Sequence, residues 1–140
     1  MWDAIKSVAY LNEHAQPHSL GRCAEFVRKA VEAGGVEMSR HASAKDYGPG
    51  LERALFRPLP PLPGGFEAGD IAVIQPITGH PHGHMAMFNG ELWVSDFEQM
   101  HGYYPGPSYR SLKPPVAIYR YAMLLATAPS LRSTVSRVAA

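Results

Sequence analysis

The chain has a single cysteine, Cys23, and seven histidines, of which His84 opens a short apolar run, His84-Met85-Ala86-Met87-Phe88, directly after Gly83. A thiol attacks carbonyl carbon as its thiolate, so a nucleophilic cysteine needs a base for its proton and positive charge near the sulfur. Cys23 begins a stretch in which Cys23, Phe26, Val27, Ala30 and Val31 fall at i, i+3, i+4, i+7 and i+8, the spacing of one helix face. A helix N-terminus presents partial positive charge and unpaired N–H groups, which favour a thiolate and can hold an oxyanion. Arg22 adds a cation beside it. A strand starting at His84 brings an imidazole from a second, rigid element. A cysteine on an apolar helix stripe is by itself more often core than nucleophile, so its assignment rests on residues further along the chain.

A histidine base needs a partner at its other ring nitrogen to fix the tautomer. The next strand candidate, Leu92-Trp93-Val94-Ser95-Asp96-Phe97, offers Asp96, twelve positions after His84. The turn at Asn89-Gly90 decides whether it can serve. A two-residue turn pairs Phe88 with Glu91, sets His84 opposite Ser95 and turns Asp96 to the other face. A three-residue loop with Gly90 left-handed pairs His84 with Val94 and returns Asp96 to the His84 face. Asp96 is the favoured third residue, with Ser95 or a backbone carbonyl as the alternative.

His80, His82 and His84 alternate, so an extended segment would put them on one face where Zn²⁺ or Cu²⁺ could bind. Gly79 and Pro81 indicate a loop instead, and no fourth ligand is evident. No metal and no cofactor are expected, and His82 is assigned with His80 to the rim of a substrate cleft. Tyr103 and Tyr104, with Tyr109, lie in a Pro- and Gly-rich segment where flat rings and hydroxyls suit a substrate wall.

The elements that position these groups are read from periodicity and turn chemistry. Residues 3–11 fit a short helix. The cysteine helix has Ser19 as its expected N-cap and Gly34-Gly35 as its stop. A helical piece over residues 43–56 is interrupted by Gly48-Pro49-Gly50, and residues 58–65 form a surface connection. Strands are expected at Ile71–Ile74, His84–Phe88, Leu92–Phe97 and Val116–Tyr121. Helices first and an antiparallel meander afterwards predict an α+β domain, its N-terminal helices packed on a small antiparallel sheet. The domain spans 1–128, with a Ser- and Ala-rich tail over 129–140.

Gly69-Asp70-Ile71-Ala72-Val73-Ile74, followed by Gly83-His84-Met85-Ala86-Met87-Phe88, resembles the "GD, strand, GH, strand" signature of CHAP and NlpC/P60 peptidases. Arg22-Cys23-Ala24-Glu25-Phe26-Val27 resembles their cysteine helix, although the family often has Asn or Asp where this chain has Arg22. The resemblance implies a papain-like fold, a Cys nucleophile, a His base and cleavage of a peptide or amide bond in peptidoglycan. Gln16, seven positions before Cys23, stands near where papain-like enzymes place an oxyanion-hole side chain.

Composition narrows the setting. With 13 basic against 12 acidic residues, the chain lacks the basic excess that nucleic-acid or anionic-membrane binding requires. One cysteine excludes an intrachain disulfide. The N-terminal residues show no signal-peptide pattern, and no run approaches the roughly 18 apolar residues of a bilayer span. The resemblance implies a peptidoglycan stem peptide as partner, and with no signal the expected route from the cytoplasm is another delivery system: a type VI secretion amidase effector with its immunity protein, or a phage lysin. A papain-like deamidase or protease acting on a target-cell protein, and an inactive peptide-binding domain of the same fold, are the other readings.

Overall fold

The structure, a computed structural model, describes residues 1–60 and 65–122; the proposed tail over 129–140 lies outside them. Helix α1 (Ala4–His14) is capped by Asp3, whose carboxylate accepts the Lys6 amide at 3.2 Å. Helix α2 (Cys23–Ala33) buries Val27, Ala30 and Val31 and stops at Gly34, as its periodicity indicates. Ser19 does not cap it: Arg22 holds the cap position without a capping side chain. Helix α3 (Gly48–Arg53) starts at the glycines rather than being broken by them, because Pro49 in a first helical turn loses no hydrogen bond.

The strands are β1 (Phe56–Pro58), β2 (Ile71–Ile74), β3 (His84–Phe88), β4 (Trp93–Val94), β5 (Glu98–Gln99) and β6 (Val116–Tyr121), with helix α4 (Pro107–Leu112) between the last two. Among the described residues they form one sheet in the order β1-β6-β2-β3-β4-β5, with every pairing antiparallel. This is a papain-like α+β fold, with α1 and α2 packed together and α2 packed on β3. Period-two alternation divides the sheet. Ile71, Val73, Met85, Met87 and Val94 meet Leu11, Val27 and Val31 of the helices in the main core. Ala72, Ile74, Ala86 and Trp93 face the other way and are covered by Tyr109 of α4 and its neighbours. Both faces of β2 and β3 are thus dry, which is why they read as continuous apolar runs.

The β3–β4 connection adopts neither expected turn. Phe88 pairs with Trp93, leaving a four-residue loop in which the Asn89 side chain accepts the amides of Glu91 and Leu92. The side chain takes over the backbone's role in the turn. Nor does the strand run on to Phe97. It bends after Val94, and Ser95-Asp96-Phe97 reverses the chain so that Trp93 pairs with Gln99.

Asp70, the acid of the Gly-Asp signature, is fully buried and makes a two-pronged ion pair with Arg120 of β6, both bonds 2.8 Å. It also accepts the Glu67 amide at 2.8 Å. Its work is structural: it fastens the entry of β2 to the neighbouring strand. Among the described residues no helix is long and apolar enough to cross a membrane.

Removing one member of a buried pair leaves the other charge uncompensated, which typically costs about 3–5 kcal/mol. Asp70→Ala is therefore expected to lower unfolding stability by about 3 kcal/mol in urea titration. The Asp70→Ala/Arg120→Met double variant should lose less than the two single changes combined. A loss under about 1 kcal/mol for Asp70→Ala would contradict the assignment.

Candidate active site

Cys23 and His84 line one cleft of about 1010 Å³, set where the start of α2 meets the start of β3. Cys23 is half-buried and His84 is 7% exposed. The backbone amides of Met85, Ala24 and Cys23 itself favour the thiolate. Gly83, just before the histidine, has φ +72°, and a side chain there would collide with the Ile74 carbonyl. The tight entry to β3 therefore requires glycine.

The third residue is where the structure departs furthest from the sequence reading. His84 Nε2 bonds Gln99 Oε1 at 2.7 Å. The Gln99 amide nitrogen donates to the carbonyls of Gly102 and Tyr103 at 3.0 and 2.8 Å. With both amide hydrogens committed, Oε1 can only accept, so His84 carries its proton on Nε2. Nδ1 then holds the lone pair and is the nitrogen available as a base.

Asp96 does not bond His84. It is fully buried and accepts the amides of Leu20 and Arg22 at 2.8 and 2.9 Å, anchoring the segment that leads into Cys23. Ser95 instead donates to Asp96 and to the Phe97 carbonyl. Gln99 lies beyond the strand expected over residues 92–97. Ser95 and Asp96 are turn-forming residues, but set between Val94 and Phe97 without a Gly or Pro they read as part of a strand, so the reversal that brings Gln99 back beside His84 is not evident locally.

His82 and His80 line the cleft, with His82 Nδ1 bonded to Ser43 Oγ at 2.6 Å. His82 and His84 each have their own partner, and among the described residues no three His, Cys, Asp or Glu side chains are placed to hold a metal ion. Tyr103 and Tyr104 are not on the cleft: Tyr103 packs against Trp93, and Tyr104 donates to the Pro114 carbonyl at 2.5 Å. Tyr109 is the tyrosine of that segment that lines it, its ring 6.1 Å from that of His84. Gln16 is outside the cleft, its side chain turned to the His14 carbonyl.

Among solved structures, the chain is similar to the effector in the type VI native effector-immunity complex Tae3-Tai3 from Ralstonia pickettii. Identity is 52% and the TM-score 0.81, over 86% of this chain and 99% of that one. The chain belongs to the Tae3 family of type VI effectors. The selenomethionyl form of the same complex matches at 52% identity and TM-score 0.78, over 82% of this chain and 99% of that one. No family profile and no curated protein matches.

In this Tae3-family chain, burial sets the resting charge of the pair. It pushes the Cys23 thiol up to about 11, against the pull of the backbone amides. It pulls the His84 imidazole down to about 4, although the Gln99 bond and the Asp96 charge favour the protonated ring. At neutral pH both groups are uncharged, and Nδ1 is ready to accept a proton.

The folded-state pKa of His84 lies below its ordinary 6.5, so the unfolded chain binds more protons between those values. The associated stability is present above pH 6.5 and is lost as pH falls toward 4. Between pH 7 and pH 4.5 the wild type should lose about 2 kcal/mol more than His84→Asn in urea titration. Equal losses would contradict the burial argument. Nitrogen NMR at pH 6 should show His84 neutral and protonated on Nε2.

Proposed function

We propose that this chain is a cysteine hydrolase that cleaves a peptide or amide bond of bacterial peptidoglycan. Delivered by a type VI secretion system, it acts in the periplasm of the target cell, and an immunity protein protects the producing cell. The observation that carries the chemistry is the fixed tautomer of His84, which leaves a bare Nδ1 in the same cleft as the Cys23 thiol.

Each group has a role in the reaction. As a substrate carbonyl enters, His84 Nδ1 takes the Cys23 proton and the sulfur forms a bond to the carbonyl carbon. The carbonyl π electrons move to oxygen, where free amides at the start of α2 supply hydrogen bonds. The tetrahedral intermediate expels the amine, which leaves with the proton from Nδ1, giving a thioester. Water, deprotonated by Nδ1, then attacks the thioester and releases the acid and the thiol. Gln99 touches no reacting atom; it positions the imidazole. Asp96 acts one step further away, by fixing the approach to α2. Membership of a type VI effector family supports injection rather than release as a phage lysin, and the effector-immunity pairing of the Ralstonia pickettii protein supports a dedicated inhibitor here.

Purified protein incubated with peptidoglycan sacculi should release soluble muropeptides with new amino termini, read by mass spectrometry. Cys23→Ala and His84→Ala should abolish release. Gln99→Ala should lower kcat by about 10²-fold, the low end of what a well-placed general base contributes, with little change in KM. Unchanged muropeptides from wild type across pH 6–8 would refute the hydrolase reading. Deamidation of a target-cell protein by a Cys23-dependent route would then take its place.

A further inference from the structure

Charge on this molecule is unevenly placed. The whole chain has 13 basic and 12 acidic residues, yet the charged side chains lining the cleft are Arg22, Arg28, Lys29 and Arg40 against Glu25 alone. Arg22 and Lys29 share Glu25 between them, at 2.6 and 2.9 Å. Arg40 has no ion-pair or hydrogen-bond partner among the described residues.

Arg28 is the unusual member. Helical periodicity puts it on the polar side of α2, but the residue is only 6% exposed. It bonds Glu32 through one amino group at 3.0 Å. A guanidinium offers five N–H donors in a planar fork, so most of that donor capacity is unspent on a side chain that also lines the cleft. None of its nitrogens is buried without a partner, so the free donors reach the solvent on the cleft side, where an incoming carboxylate can take them in charge-assisted hydrogen bonds.

We propose that Arg28, together with Arg40, forms a subsite for a free carboxylate of the substrate, so that the enzyme selects acidic peptides over amidated ones. This rests on the peptide-hydrolase reading above and specifies its substrate. Position fits the claim. Arg28 comes five residues after Cys23 on α2, an axial rise of about 7.5 Å. Because the two positions also lie about 140° apart around the helix, their side chains are about 10 Å apart; an extended peptide covers that in about three residues, so the recognised carboxylate lies two or three residues from the scissile bond. The planar fork suits bidentate carboxylate binding, for which lysine is a poor substitute. Excess positive charge at the cleft also speeds encounter with an anionic wall polymer.

The test is titration calorimetry on the Cys23→Ala protein with two synthetic stem tetrapeptides, one with free carboxylates and one with every carboxylate converted to the carboxamide. The free acid should bind about 10-fold more tightly, and raised salt should narrow the gap. Arg28→Gln should remove most of the preference for the acid and leave the affinity for the amide unchanged. Arg40→Gln, at an exposed position that cannot endanger the fold, should remove part of the preference. Equal affinity for acid and amide, or no binding of either, overturns the subsite. Cleavage of sacculi by the wild type is read separately, so a failed subsite and a failed hydrolase give different results.

Discussion

A buried carboxylate holds the two halves of the site together. Asp96 takes the amides of Leu20 and Arg22, and its own carbonyl accepts the Gln16 amide at 2.7 Å. The segment before Cys23 is therefore stitched to the turn between β4 and β5. Three residues past Asp96, Gln99 holds His84. One short reversal of the chain thus anchors the approach to the thiol with one side chain and orients the imidazole with another. Because the acceptors are buried, leaving any of these bonds unmade would cost about 1–3 kcal/mol each. That cost keeps the corner rigid.

Rigidity there matters because the thiol and the imidazole come from different layers. Met85 and Met87 of β3 face the helices, whereas His84 lies in register with Ile74, whose side faces α4. His84 can meet Cys23 only because it is the first residue of β3, at the end of the sheet where the helix also begins. The φ of Gly83 and its approach to Ile74 set that end point. Burial then disfavours both the thiolate and the imidazolium, so the pair rests neutral and the proton moves when a carbonyl arrives to take up the charge.

The Gly-Asp and Gly-His signatures acquire different meanings in the fold. Asp70 never reaches the cleft; it closes the sheet through Arg120. Gly83-His84 forms one wall of the site. The two motifs share the ends of an antiparallel pair, β2 and β3, with Ile71 opposite Met87 and Ile74 opposite His84. One signature secures the strand on which the other depends.

Periodicity alone determined the α2 stripe, the buried β2 and β3 runs and the order of helices before sheet, because each is dictated by a repeat of 3.6 or 2 within a few residues. The same local logic singled out Cys23 at a helix start and His84 at a strand start. Tertiary structure decided the partner of His84. The choice between Asp96 and Gln99 turns on a four-residue loop at Asn89 and a reversal at Ser95, and each shifts which side chains share a face. The burial of Arg28 was likewise hidden, since a helical repeat defines one inward stripe and not what covers the rest of the helix. A residue's neighbours along the chain state its preferred geometry; what covers it, and which hydrogen bond it completes, depends on segments tens of residues away.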